Sequence, residues 1–223
     1  MGGMSASCCN QPEPPRGISY RRVLWIALSA NIAMFFVELI ASFSTGSSAL
    51  AADAGDFLGD SANYALSLGA LALGGIWISR VALLKGAVMA LYGLAILAYA
   101  GWRAWLGIPP EPVTMGAVGV LALAVNTSVA VLLFRFREGD ANMRSVWLCT
   151  RNDIIANLMV LGAAGGVLGT GTVWPDVAVA AVLALLGLIA GRVVIRQAHA
   201  ELQTQGPVDV KIPFQAERYN SGR

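Results

Sequence analysis

Long apolar stretches, interrupted by few charged side chains, fill most of the chain between residues 23 and 196. Hydrophobic residues make up 57% of its 223 residues and charged residues 13%, whereas a soluble domain carries roughly 25% charged residues. A membrane-spanning helix needs about 20 residues, so the chain has room for six spans, short loops and two short tails. The sequence therefore predicts an all-α membrane protein, a six-transmembrane-helix bundle.

Charged residues and turn-forming residues mark the ends of the apolar stretches. The predicted helices cover residues 23–43, 49–79, 85–103, 113–134, 143–168 and 174–196. Pro109 and Pro110 prevent the third helix from continuing, and Pro175 suits the first turn of the sixth. We expect a cytoplasmic tail over residues 1–20, a transmembrane domain over 21–198 and a second tail over 199–223, without a second folded domain.

The distribution of Lys and Arg predicts the orientation in the membrane. With a cytoplasmic N-terminus, ten basic residues lie near the inner helix ends, namely Arg16, Arg21, Arg22, Arg80, Lys85, Arg135, Arg137, Arg144, Arg192 and Arg196, and Arg103 alone lies outside. We therefore expect a multi-pass protein of a bacterial inner membrane with both termini cytoplasmic. Residues 1–20 hold no apolar core, so the first helix is expected to serve as the insertion signal.

Several partner classes are excluded by simple counts. The net charge of +2 and the scattered basic residues do not fit a nucleic-acid-binding protein. Three cysteines, two of them adjacent at Cys8 and Cys9, cannot form a disulfide framework. The histidine at position 199 lies outside the predicted helices, so general-base chemistry within the membrane has few candidates and an enzyme is not expected.

Acidic residues in the second helix are the first sign of a functional site. An ionisable side chain at mid-membrane costs at least about 2.5 kcal/mol, so each one requires a partner or a purpose. Asp56 and Asp60 are four residues apart and share one helix face, while Asp53 lies on the adjoining side. A divalent cation between the pair would remove their repulsion. The alternative is that protonated carboxyls hydrogen-bond to neighbouring helices.

A second group of polar residues recurs at a spacing of four in the fifth helix. Cys149, Asp153 and Asn157 therefore share a face. Together with Asp56 and Asp60, a thiolate at Cys149 and a carboxylate at Asp153 would supply the four ligands of a tetrahedral, zinc-like site. Asp53 and Asn157 are secondary candidates. Cys149 could equally be an inert core residue, since free cysteine packs as a small hydrophobe.

These residues resemble the cation diffusion facilitator family, whose members are six-helix metal/proton antiporters. The second-helix run Gly46-Ser-Ser-Ala-Leu-Ala-Ala-Asp53-Ala-Gly-Asp56-Phe-Leu-Gly-Asp60 is the specific part of the resemblance, which extends over about residues 20–200. Glu38, Asn126 and the run Trp174-Pro-Asp176 also resemble family positions. Asp153 fits the second place of the fifth-helix signature, but Cys149 stands where the family has His or Asp.

The resemblance implies a transporter that exports a divalent transition-metal cation in exchange for protons by alternating access. One thiolate among carboxylates favours Zn, Cd or Co over Mg or Ca. The metal is then a substrate, no prosthetic group is expected, and the partners are metal ions, protons and the lipid bilayer. The family's C-terminal cytoplasmic domain, which holds its dimers together, is expected to be absent after Ala198, although a homodimer remains open. The alternative is a non-transporting membrane subunit with a structural or sensory metal site.

Overall fold

The computed structural model describes residues 18–69, 75–134, 136 and 141–204 of the chain. Its helices are α1 (Ile18–Thr45), α2 (Ser48–Gly69), α3 (Gly75–Leu106), α4 (Pro112–Phe134), α5 (Ala141–Thr170) and α6 (Trp174–Thr204). Within the described residues, five helices are long and apolar enough to cross a membrane, all except α2, which carries three aspartates. Over the described ranges the protein is an all-α, multi-pass membrane protein with six helices, as the apolar pattern predicted.

The acidic helix α2 lies inside the bundle. It contacts α1, α3, α5 and α6, and most of its side chains are buried. A helix of 22 residues is about 33 Å long, comparable to the hydrocarbon thickness of a bilayer. Asp56 and Asp60 lie near its middle, so both carboxylates are held at membrane depth but are surrounded by protein, where such side chains are tolerated.

The predicted boundary between the second and third helices is wrong. The sequence suggested one helix over residues 49–79 and another from residue 85, whereas α2 ends at Gly69 and α3 begins at Gly75. The error arose from treating Arg80 and Lys85 as markers of a helix end. Both lie inside α3, where the Arg80 guanidinium is 5.1 Å from the Trp77 ring and Lys85 faces a polar cavity between helices.

Glycines bring α3 and α6 into close backbone contact. A Cβ atom on Gly191 would lie 2.9 Å from the carbonyl oxygen of Gly86, and one on Gly93 would lie 3.1 Å from the carbonyl oxygen of Ala184. Such distances leave no space for a side chain, so the two backbones can approach only at glycine. This contact holds α3 and α6 together on the side of α2 that carries Asp56.

Buried hydrogen bonds join the N-terminal ends of α2 and α6. The fully buried Asp176, in the first turn of α6, accepts hydrogen bonds from the backbone amides of Ser48 and Ala49 at 2.8 and 3.1 Å. The hydroxyls of Ser47 and Ser48 donate to the same carboxylate at 2.6 Å each. This carboxylate therefore satisfies the orphan amides at the N-terminus of α2 and complements the helix dipole there.

The start of α4 is capped in the same manner from the preceding loop. The amides of Val113 and Thr114 donate to the Glu111 carboxylate at 2.9 and 2.7 Å. A hydrogen bond with the Thr114 side chain, together with these two amides, lowers the pKa of Glu111. The backbone amide of Glu111 in turn donates to the carbonyl of Thr45 at 3.1 Å, which attaches this loop to the end of α1.

Candidate metal site

Three of the predicted ligands meet between α2 and α5. The Asp60 carboxylate on α2 interacts directly with the Asp153 carboxylate on α5, and the negative charge of Asp56 acts on both. One cavity of about 110 Å³ lies against this cluster and is lined by Asp56, Gly59, Asp60, Asn63, Lys85, Met89, Asn152, Asp153, Ala190 and Val194. Asp56 and Asp60 of α2 and Asp153 of α5 therefore line the same cavity.

The carboxylate cluster is positioned by polar side chains that the sequence analysis did not single out. The Tyr64 hydroxyl donates to Asp60 Oδ2 at 3.1 Å, and the same hydroxyl is 2.9 Å from Thr150 Oγ1 on α5. Tyr64 is four residues after Asp60 and therefore follows it on the same helix face. That spacing was readable in the sequence, whereas the partner on α5 was not. This link holds α2 and α5 together beside the Asp60 and Asp153 carboxylates.

Lys85 also faces the cavity, although its position in the sequence indicated only a membrane boundary. The Lys85 ammonium donates a hydrogen bond to Asn63 Oδ1, and its positive charge acts on the Asp60 carboxylate. The side chain of Asn63, three residues after Asp60, interacts with that carboxylate as well. The cavity therefore contains one ammonium in addition to its three carboxylates.

The two secondary ligand candidates, Asp53 and Asn157, belong to a separate buried network. The Asn126 amide on α4 donates to Asn157 Oδ1 at 2.9 Å, and the Asn157 amide donates to Asp53 Oδ2 at 2.7 Å. Glu38 on α1 interacts with Asp53 from the other side. This chain of side chains links α1, α2, α4 and α5, and Asn126 is hydrogen-bonded across helices within it.

The buried amide of Asn31 on α1 makes a local hydrogen bond instead. Its amide donates to the carbonyl of Ala27 at 2.9 Å, within its own helix α1, so the bond does not join helices. A carbonyl one turn earlier is within reach of a short amide side chain, and this local acceptor replaces a partner on another helix.

The side chain of Cys149, the predicted fourth ligand, and that of Arg151 lie outside the described residues. Among the side chains that the structure describes, no three His, Cys, Asp or Glu residues are arranged closely enough to enclose a metal ion. Asp60 and Asp153 nevertheless form a buried carboxylate pair beside a cavity large enough for water or an ion. Two carboxylates that face each other need a proton or a cation between them, because both are acceptors when ionised.

The fold and this acidic cavity define a class of membrane transporter, and comparison with known proteins agrees. Residues 24–202 match the family model of the cation efflux transmembrane domain. The chain belongs to the cation efflux family, which confirms the resemblance to cation diffusion facilitators.

Curated relatives share part of this chain at moderate identity. It is 28% identical over 212 residues to a cadmium, cobalt and zinc/H(+)-K(+) antiporter of Bacillus velezensis, with 87% of this chain and 67% of that protein covered. It is 27% identical over 176 residues to the metal cation efflux system protein CzcD of Cupriavidus metallidurans, with 74% of this chain and 56% of that protein covered. The chain thus spans between about half and two thirds of the length of these relatives.

Proposed function

We propose that the protein exports a divalent transition-metal cation of the Zn, Cd or Co type and exchanges it for protons by alternating access. The observation that carries this proposal is the meeting of Asp56, Asp60 and Asp153 at one cavity in the middle of a membrane-embedded bundle. Three carboxylates at membrane depth are costly unless they bind a cation. The names of the relatives, which include cadmium, cobalt and zinc, support a transition metal as the substrate.

In this proposal the ion is held by Asp56 and Asp60 of α2 and Asp153 of α5, with the Cys149 thiolate as the fourth ligand. Coupling to protons requires only that metal and protons compete for the same carboxylates, because the ligands must be deprotonated to bind metal. A softer ion gains most from a thiolate, so Cd is expected to be transported better than Mn. The protein acts as a transporter and not as an enzyme.

We further propose a bacterial inner membrane as its location, with both termini in the cytoplasm. The excess of Lys and Arg near one set of helix ends supports this orientation. The domain division retained from the sequence is a tail over residues 1–20, a transmembrane domain over 21–198 and a second tail over 199–223. Helix α6 extends to Thr204, past residue 198, so in this proposal its last turns continue beyond the membrane surface.

Flux through proteoliposomes tests the function directly. The purified full chain should move Zn, Cd or Co, but little Mn, across the vesicle membrane when a pH gradient is imposed. The variants Asp56→Asn and Asp60→Asn each remove one charge and one oxygen ligand while preserving side-chain shape. We expect each to reduce metal flux at least about 100-fold at an unchanged thermal midpoint, since second-sphere losses alone already cost 10- to 100-fold at metal sites.

The matched control is Glu111→Gln, which changes an exposed acid between α3 and α4 and should transport like the parent. Parental flux in Asp56→Asn would contradict the proposed ion site. Metal binding without flux in the parent protein would instead favour a structural or sensory metal site.

A further inference from the structure

Lys85 lies in an unusual place for a basic residue of a membrane protein. It is ten residues into α3, about 15 Å from the start of that helix, and its side chain is half-buried. Basic side chains near helix ends normally extend toward the headgroups, but this ammonium lies within the bundle and donates to Asn63 of α2. Its place in the bundle therefore calls for a role beyond anchoring the helix.

The Lys85 ammonium lies at the same cavity as the proposed metal ion. Lys85 lines the same cavity of about 110 Å³ as the three aspartates of the carboxylate cluster. Asn63 lies between the charges, since its carbonyl oxygen accepts from Lys85 and its side chain also interacts with the Asp60 carboxylate. An ammonium and a metal ion attracted to the same carboxylates repel each other, and this repulsion is strong where water is scarce.

We propose that Lys85 is a tethered competitor of the transported cation, a residue that lowers the affinity of the carboxylate cluster for metal. Without metal, its positive charge partly compensates the three carboxylates. When the ion binds, the ammonium remains on Asn63, and its repulsion favours release of the ion. Lys85 thereby determines how tightly the cavity holds a divalent cation during transport. This inference rests on the proposed function, because it takes Asp56, Asp60 and Asp153 as the ion site.

The test measures Cd binding to the detergent-purified full chain by titration calorimetry at pH 8, where protons compete least. Lys85→Gln removes the charge but keeps a polar group beside Asn63, so its Kd for Cd should fall about tenfold or more, because a like charge in a low-dielectric cavity is removed. Lys85→Arg keeps the charge and should bind within about threefold of the parent. Arg80→Gln removes a charge on the same helix that lies over Trp77, and it is the matched control.

Transport kinetics provide a readout that a purely structural role would not move. In proteoliposomes, Lys85→Gln should lower the KM for Cd about tenfold without raising the maximal rate, because tighter binding slows release. A Kd for Cd equal to that of the parent in Lys85→Gln, or a higher Kd at an unchanged thermal midpoint, would overturn the inference.

A second variant covers the case in which Lys85→Gln does not fold. Asn63→Ala removes one acceptor of the ammonium and lets the ammonium move closer to the carboxylates, so its Kd for Cd should rise about tenfold. A parental or lower Kd in that variant would overturn the inference. Failure of Lys85 variants to change binding, while Asp56→Asn still abolishes flux, would remove only the role of Lys85. Parental flux in Asp56→Asn would remove the proposed function itself.

Discussion

The aspartates of α2 differ in what surrounds each of them. Asp53 is 1% exposed and accepts a hydrogen bond from the Asn157 amide, which itself accepts from Asn126. Asp60 instead lies at a cavity and interacts with Asp153. Each of the two faces a second carboxylate, Glu38 for Asp53 and Asp153 for Asp60, but of the two it is Asp60 that lines the cavity. The local contacts therefore favour a structural role for Asp53 and an ion-facing role for Asp60.

Asn157→Ala tests this division of roles. The substitution leaves Asp53 Oδ2 without its amide donor and Asn126 without its acceptor, so the free energy of unfolding in detergent should fall by about 1 to 2 kcal/mol. Metal affinity should stay within about threefold of the parent, because Asn157 lies in the Asp53 network. Thermal unfolding and calorimetric titration with Zn provide the two measurements. A tenfold weaker Zn affinity at an unchanged thermal midpoint would instead make Asn157 a ligand.

The sequence predicted some of these residues and not others for a physical reason. Asp56 and Asp60 on one face of α2 follow from helical periodicity, and a shared face is a local property. Asp153 lines the cavity whereas Asn157 joins the Asp53 network. This difference depends on how α5 is rotated against α2, which periodicity within one helix does not determine. The same limit applies to Lys85. Its cavity is also lined by residues of α2, α5 and α6, and the sequence of α3 alone does not show that these helices surround it.

At the scale of the helices, Asp176 is the contact that fixes α2. It joins the first turn of α6 to the N-terminus of α2 through two backbone amides and two serine hydroxyls. Asp56 is eight residues, or about 12 Å, further along α2. A shift at the N-terminus of α2 would therefore displace the Asp56 carboxylate at the cavity.

Asp176→Ala should consequently destabilise the protein and impair transport together. Four donors would lose their charged acceptor in a buried site, and hydrogen bonds to charged groups contribute about 1.5 to 3 kcal/mol each before relaxation. We expect the free energy of unfolding to fall by at least about 2 kcal/mol, with a clear loss of Cd flux. Thermal unfolding and proteoliposome flux check the two effects. Thr172→Ala, in the exposed turn before α6, is the control and should match the parent.

Helix ends were predicted well where backbone chemistry marks them and poorly where charge was the marker. The start of α6 at Trp174 agrees with the sequence, because a proline in the first turn of a helix follows a backbone rule that holds in any context. The sequence predicts the end of α2 ten residues too late, at Ser79, because Arg80 resembles a membrane boundary, whereas the helix ends at Gly69. A charged side chain of a membrane helix can find its partners inside the bundle, as Lys85 does at Asn63, so its position does not have to mark a helix end.

For the whole molecule, the arrangement of six helices combines with the basic residues to give an orientation. The loop between α3 and α4 and the turn between α5 and α6 lie at the same end as Ser47 and Asp176. Arg103, the basic residue near that end, donates to the carbonyl of Ile108 at 2.9 Å. Arg21, Arg22, Arg192 and Arg196 lie toward the opposite end, and we propose on the positive-inside rule that this end is cytoplasmic.

Reporter insertions check this orientation in intact cells. Alkaline phosphatase inserted after Gly74, after Arg137 or after Arg223 should be inactive, because the proposed orientation puts these points on the cytoplasmic side, and a fluorescent protein at the same points should fold. Insertions after Ile108 and after Thr172 should give the opposite pattern, because the phosphatase becomes active only outside the cytoplasm. The points flank helices as the structure places them, so the first insertion lies before α3 and does not interrupt it at Arg80. Phosphatase activity from the insertion after Gly74 would place the end of α2 and the start of α3 outside the cytoplasm. The proposed path of metal from the cytoplasm to Asp60 would then be reversed.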